Sequence, residues 1–582
     1  MPEKGANPIT LYISRSNSWF TRRFPIITLV IFLGMLIIWS IDGSTIRSSL
    51  NAWRNGRDYI SFKLHKPVNF TQYGSPTPIN STKFELSFIN STRQNLNSSK
   101  LEGNFTTQES LPSLVNVSEV EPVFPSKLSS IVDVSKSLLG TSLSWISAEL
   151  EPNYSSNLLS RWLAPGGEPC RDSKTVEISI PAFDVDNSKE FSTGEIHEIV
   201  IQALDDSGNR HCLGGDYFEI DLSGESWKTR PPLTDPGDGS YSFKLQVHPD
   251  FAGEYNLTIV LLFQHFGGLR FSPTRFVYWK ELRRIPIKFY KNSVQLPELS
   301  ICQKSDFLRD VWSGLLESNG WVYSAHCSFK IFSADSAWEC LQNRWIFFWG
   351  DSNHVDSIRN LLNFVLGLPD IQSVPRRFDM NFTNPSNTSQ SVRITSIFNG
   401  HWNETLNYQG LNSLQNEDYR NLLKGYFLEQ TVPDTIIMNS GLHDGVYWKN
   451  IRAFIKGAEF ATKFWGEVLE SVKQRGFQVP RLLYRTTIAT GGYARSLAFN
   501  PNKMEAFNGV VLDKLKSAGI LSGAIDDFDM TFPWHYDNRC NDGVHYGRAP
   551  AKAKWRDGKI GHQYFVDLML GHVLLNALCA RH

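Results

Sequence analysis

The segment RWIFFWGDSNHVDSIR, Arg344–Arg359, passes from five consecutive apolar residues, Trp345–Trp349, through Gly350 to Asp351 and Ser352. A short apolar run closed by glycine is the pattern of a strand buried on both faces, and the polar residues beyond it fall on a strand-to-helix turn. Open α/β sheets bind ligands at the carboxyl ends of their strands, so a hydroxyl at Ser352 stands where chemistry is expected. The alternative is that Asp351 or Ser352 simply caps the following helix, a common use of both residue types.

Near the other end of the chain, Asp542-Gly543-Val544-His545 forms a D-x-x-H unit. A serine nucleophile needs a base to take its proton and a carboxylate to orient and support that base. Asp and His three residues apart can be held together by one turn and presented to Ser352 as a unit. The order Ser, Asp, His is permitted because such a triad is defined by geometry rather than by sequence position.

The paired motifs resemble those of SGNH/GDSL hydrolases, and in particular the PC-esterase group of trichome-birefringence-like and neurexophilin-and-PC-esterase proteins. The resemblance covers roughly Cys302–His582. It implies a three-layer α/β domain in which Ser352 is the nucleophile, Asp542 the orienter and His545 the base. The family usually carries Arg three residues after the serine; Val355 stands there in this chain, and the nearest arginine is Arg359. The resemblance also implies an oxyanion site. Asn439, after the expected strand Thr435–Met438, is its candidate side-chain donor, joined by the backbone N–H groups of Ser352 and Gly400. Gly441 is a further candidate substrate-binding position, and Arg485 either orients a substrate or serves as a structural arginine near a sheet end. His443-Asp444 is a rival acid–base pair, but adjacent side chains tend to point apart.

Lys plus Arg and Asp plus Glu both number 58 in 582 residues, without a long basic run, which argues against a nucleic-acid partner. Residues 1–23 read as a cytosolic tail. Phe24–Ile41 holds 18 residues without a charge, long enough to span a bilayer as a signal anchor. Arg22 and Arg23 precede it, favouring a cytosolic N-terminus. All eleven N-x-[ST] sequons follow it, at Asn69, Asn80, Asn90, Asn97, Asn104, Asn116, Asn153, Asn256, Asn381, Asn387 and Asn403. Six of them crowd the stem, 42–150, whose Ser/Thr/Asn/Pro-rich composition from Gly43 to about Val123 cannot bury enough apolar surface to fold, while Ser126–Leu150 is more apolar and could form a short helix. The expected topology is single-pass type II with a lumenal catalytic domain, and the expected location is the Golgi membrane.

Over 165–290 the pattern changes to short alternating segments, Val176–Ile180, Glu198–Leu204, Tyr217–Leu222, Ser240–Val247 and Gly253–Phe263, broken by Gly, Pro and Asp. This predicts an all-β sandwich. The stretch from Asp235, DPGDGSYSFKLQVHPDFAGEYNLTIVL, resembles the end of a filamin-type immunoglobulin-like repeat, with a turn at Asp238-Gly239 and Tyr241, Phe243 and Leu245 on one face. Cys170 and Cys212 are candidate disulfide partners in an oxidising lumen. The module serves either as a spacer or as a binding surface for a protein or glycan.

From 298 to 582 helical and strand-like pieces alternate, as in an α/β domain. Helices are expected over Asp306–Glu317, Asp356–Leu366, Asn502–Ala518 and Tyr564–Cys579, and strands over Arg393–Phe398, Thr435–Met438 and Arg481–Ile488. Arg376–Gln390 reads as a polar surface excursion, and Asp526, Asp527 and Asp529 as a solvated acidic loop rather than a metal site. Cys302, Cys327, Cys340, Cys540 and Cys579 leave an odd cysteine whose pairing spacing alone does not determine. None forms a C-x-x-C, so no metal is expected.

The resemblance therefore implies an acetyl transferase acting on the hydroxyls of polysaccharides or glycoprotein glycans. No resident cofactor is expected; the co-substrate would be an acetyl donor, acetyl-CoA or an acetylated intermediate. The alternatives are a carbohydrate acetyl esterase with the same triad and a non-catalytic secretory-pathway binding protein.

Overall fold

The structure, a computed structural model, describes residues 145–580 apart from short stretches, among them 164–172, 271–276, 401–407, 536–541 and 548–561. The expected anchor, most of the stem and the sequons at Asn69, Asn80, Asn90, Asn97, Asn104, Asn116 and Asn403 lie outside the described residues. Among the described residues no helix is long and apolar enough to cross a membrane. Asn153, Asn256, Asn381 and Asn387 are all exposed.

The chain is a multidomain mixed α/β protein. Its first part is built from β1 (Glu177–Ser179), β2 (Glu190–Ser192), β3 (His197–Leu204), β4 (Tyr217–Gly224), β5 (Trp227–Thr229), β6 (Leu233–Thr234), β7 (Ser240–Leu245), β8 (Gly253–Phe263) and β9 (Lys280–Tyr290). Two sheets face one another, β1-β3-β7-β6 and a larger one containing β5-β4-β8-β9-β2. Strand alternation does the sorting: Ile199 and Ile201 of β3, Tyr241, Phe243 and Leu245 of β7 and Leu257, Ile259 and Leu261 of β8 all enter one core. Asp238 accepts the Ser240 N–H at 2.9 Å, and Gly239 takes the positive φ of 82° that the turn requires.

Two elements differ from expectation here. Of the stretch Asp306–Glu317, expected as a helix, residues 308–313 lie outside the described residues and the two ends are not helical. Lys304–Phe307 is a short 3₁₀ turn, and Gly314–Glu317 is a strand, β10, hairpin-paired with β11 (Val322–Ser324). β10 adds to the edge of β5, so the chain contributes to the sandwich sheet again after leaving it. Residues Arg377–Asn384 form a strand, β13, rather than a surface excursion.

The α/β part has one six-stranded sheet made of β12 (Arg344–Gly350), β13, β14 (Asn387–Phe398), β15 (Thr435–Met438), β16 (Arg481–Arg485) and β17 (Gly523–Ile525), in the order β13-β14-β12-β15-β16-β17. Every pairing is parallel except that of β13 with β14. Numbering the parallel strands by their position in the chain gives 2-1-3-4-5, a doubly wound order whose switch point lies at the ends of β12 and β15. The apolar run of β12 divides by alternation. Trp345, Phe347 and Trp349 pack on one side with the helices Glu417–Phe427, Ile451–Gln474 and Pro501–Ser517. Ile346 and Phe348 pack on the other with Ala334–Leu341, Ser352–Asn360 and His562–Cys579. Each of these fully buried side chains contributes about 1.5–3 kcal/mol.

Disulfides join Cys302 to Cys327 and Cys340 to Cys579. Cys212 is also disulfide-bonded, while its expected partner Cys170, like Cys540, lies outside the described residues.

The sandwich and the α/β part are joined by partly buried ion pairs. Arg230, just after β5, pairs with Asp529 at 2.5 Å and with Glu505. The acidic run is thus no solvated loop: Asp526 caps the helix Asp527–Thr531, Asp527 is buried and Asp529 meets Arg230.

Candidate active site

β12 delivers Asp351 and Ser352 to the switch point, and the two residues take different tasks. Asp351 is the helix cap, accepting the Asn353 N–H at 2.9 Å, and burial pushes its carboxyl up from the ordinary range. Ser352 Oγ is left to reach His545 Nε2 at 2.7 Å. His545 Nδ1 lies 3.0 Å from Asp542 Oδ2 and 3.1 Å from Oδ1. With Nδ1–H donated to the carboxylate, Nε2 is the acceptor that faces the serine hydroxyl.

The D-x-x-H turn holds itself. Asp542 Oδ1 accepts the backbone N–H groups of His545 (2.9 Å) and Val544 (3.1 Å), and the Asp542 N–H donates to the His545 carbonyl at 3.2 Å. A carboxylate bound by its own turn cannot swing away from the imidazole. The helix Ser352–Asn360 grips the same turn: Asn353 Nδ2 donates to Val544 O at 3.1 Å, and Arg359 Nη2 to Gly547 O at 2.6 Å. Val355, where the resembling family has Arg, packs against the apolar core instead.

The loops after β14, β12 and β15 are stitched side by side. Asn399 N–H donates to Gly350 O and Asn439 N–H to Trp349 O, both at 2.9 Å. Asn399 Nδ2 donates to Asn439 O and Ser440 Oγ, also at 2.9 Å each. This places Ser352, Gly400 and the 439–443 segment at one mouth.

Three expected substrate-binding residues have other tasks. Asn439 spends both amide hydrogens on Arg485 O (3.0 Å) and Thr487 Oγ1 (3.2 Å), so its side chain braces β15 against β16 and has none left for an oxyanion. Gly441 is glycine because Thr487 Oγ1 would stand 2.2 Å from a Cβ there; it starts the helix Leu442–Tyr447. Arg485 is 2% exposed and ion-paired with Asp527 beneath the sheet ends, out of reach of any substrate. Burial pushes the Asp527 carboxyl up to about 7 even with Arg485 opposing the shift.

The rival acid–base pair His443-Asp444 does not form. Asp444 turns to Leu411 N and Trp448 Nε1, both at 2.8 Å, and to Ser440 Oγ. Its carboxyl is pushed up to about 6 by burial. The His443 ring lies edge-on to Phe398 (4.9 Å) and stacked on Tyr408 (5.0 Å). Its Nδ1 is buried with no hydrogen-bond partner, and a Cβ on Gly400 would come within 3.2 Å of that nitrogen. Burial first, then the charges of Arg376 and His545, hold the imidazole down to about 3, so it is neutral at physiological pH. A neutral ring with an unengaged nitrogen beside Gly400 can donate to an oxygen placed there. Its sequence signal is its place, five residues past the end of β15.

No family model matches the chain, and no curated protein matches it. Among solved structures, the chain is distantly similar to Axe2, an acetylxylan esterase from Geobacillus stearothermophilus, at 10% identity over 40% of this chain and 94% of that one, with a TM-score of 0.23. Domains 4 and 5 of the S-layer protein SbsC match at 13% identity and a TM-score of 0.14 over 20% of this chain, which spans about half (53%) of that fragment's length. A glycoside hydrolase described as putative, from Bacteroides vulgatus, matches at 7% identity over 56% of this chain and 54% of that one, with a TM-score of 0.16. Scores of this size assign neither a family nor a ligand.

Proposed function

We propose that this chain is an acyl-transfer enzyme of the SGNH/GDSL, PC-esterase type that moves an acetyl group to carbohydrate hydroxyls in the Golgi lumen. The hydrogen-bonded line Ser352–His545–Asp542 carries the reading. Ser352 Oγ attacks the acetyl carbonyl while His545 Nε2 takes its proton, and the imidazolium is supported by Asp542. The tetrahedral oxyanion is received by the N–H of Ser352 in the first helical turn, the N–H of Gly400 and the His443 ring. Such donors contribute about 3 kcal/mol each. Collapse expels the donor's leaving group, which takes the proton from His545, and leaves an acetyl-serine. A sugar hydroxyl, deprotonated by His545, then attacks that ester and restores Ser352.

If water takes the second step, the same residues make an acetyl esterase. Asp542 keeps a side-chain exposure of 23%, so solvent reaches the edge of the triad. The resemblance in motifs and the expected signal anchor favour a carbohydrate acceptor over water. The deciding experiment supplies p-nitrophenyl acetate with and without sialylated or neutral glycans. Acetylated glycan that accumulates at the expense of free acetate supports the transferase; acetate release indifferent to any glycan supports the esterase.

A further inference from the structure

β4 is buried on both faces. Phe218, Ile220 and Leu222 enter the sandwich core, while Tyr217, Glu219 and Asp221 face the other way and are buried as well. A carboxylate in that position is costly unless it is paired. Glu219 is fully buried and meets two residues of the α/β part. Arg495 engages it through both nitrogens of its fork, Nε at 3.2 Å from Oε1 and Nη2 on Oε2, and His535 Nε2 donates to Oε1 at 3.0 Å. Arg495 also lies over the ring of Trp279, 4.0 Å from its centroid, so the guanidinium is clasped by two residues of the sandwich.

Both partners of Glu219 lie on segments that hold the D-x-x-H turn. Gly492 N–H donates to His535 O at 3.3 Å, and the neighbouring Gly491 N–H donates to Gly543 O at 2.9 Å, between Asp542 and Val544. Tyr546, next to His545, donates its hydroxyl to Ala489 O (2.9 Å) and Thr531 O (3.1 Å), which flank the same two segments. Glu219 is thus three contacts from the orienting carboxylate: Glu219 to His535, His535 to Gly492, Gly491 to Gly543.

We propose that Glu219, on the β-sandwich, is a positioning residue of the catalytic centre, holding Arg495 and His535 so that the 491–492 strap fixes the Asp542–His545 turn. The sandwich is then a working part of the enzyme rather than a spacer or a detachable binding module. The proposal rests on the reading of Ser352 as nucleophile. A residue that sets geometry without touching substrate lowers kcat and leaves KM alone, and a displacement of about 1 Å far from the chemistry can cost about 100-fold.

The test uses the whole chain and p-nitrophenyl acetate, comparing wild type, Ser352→Ala, Glu219→Asp and the paired Glu219→Gln/Arg495→Met. Glu219→Asp keeps the charge and withdraws the carboxylate by one methylene. The paired change removes both charges together, which spares the fold the strain of an unpaired arginine. The expected result is a fall in kcat of about 10- to 100-fold with KM within about twofold, faster amide hydrogen exchange over 542–547, and an unchanged melting temperature in at least one variant. Wild-type kcat and wild-type exchange in a folded variant would overturn the proposal. Turnover by wild type that persists in Ser352→Ala would instead sink the enzyme reading, so the two failures are separable.

Discussion

Asp351 and Ser352 are neighbours with separate duties, and the division depends on which oxygen meets the helix N-terminus. Because Asp351 caps the helix, Ser352 Oγ is free for His545. Ser352→Ala is expected to abolish turnover without lowering the melting temperature, as the cap remains; calorimetry beside an ester assay checks both. His443→Ala should lower kcat by about 100-fold through loss of an oxyanion donor, with little change in KM. Its burial also links it to folding. A histidine whose folded pKa, about 3, lies below its unfolded value of 6.5 contributes full stability above pH 6.5 and loses it as pH falls through that window. Wild type should therefore lose about 2 kcal/mol more than His443→Gln between pH 6.5 and 5, measured by urea unfolding at each pH. Arg485→Met strands Asp527 in the sheet interior and should destabilise the fold by about 3–5 kcal/mol, an effect on stability rather than on KM.

At the scale of elements, the Cys340–Cys579 disulfide closes a 239-residue separation, tying the helix Ala334–Leu341 to the end of His562–Cys579. Cys340→Ser paired with Cys579→Ser is expected to cost about 2–5 kcal/mol, read as a lower melting temperature. Which elements were legible in the sequence follows from how each is buried. β12 and β15 are covered on both sides, so they read as unbroken apolar runs, and Thr435–Met438 was placed to the residue. β13 escaped because it is an edge strand with one wet face: Phe378 and Phe382 are buried while Asp379, Met380 and Asn381 are exposed. β10 escapes because it is a four-residue strand whose sheet neighbour β5 lies some ninety residues earlier, and its local partner, β11, is itself three residues long. The candidate triad stands out in the sequence because its members need particular side chains: a hydroxyl just past a buried strand at Ser352, and a carboxylate and an imidazole three residues apart at Asp542 and His545. The surroundings of Asn439 and His443 are not legible in the sequence, because an amide's or a ring's partners are set by what faces it, here Arg485 O and Thr487 Oγ1 for Asn439, and not by its own position.

For the molecule as a whole, the sandwich and the α/β sheet are one piece of machinery, joined by Arg230 to Asp529 and Glu505 and by Glu219 to Arg495 and His535. The Glu219 contacts are fully buried and so hold a geometry, since breaking one partner there leaves an uncompensated charge. The central claim is that Ser352 carries the acetyl group. Intact-mass spectrometry of the whole chain, after enzymatic removal of N-glycans and a brief incubation with an activated acetyl ester, tests it directly beside Ser352→Ala. The expected result is a gain of one acetyl group on wild type that is absent from Ser352→Ala and is discharged by a glycan or by water. An equal gain on both proteins, or no gain and no Ser352-dependent turnover, would contradict it.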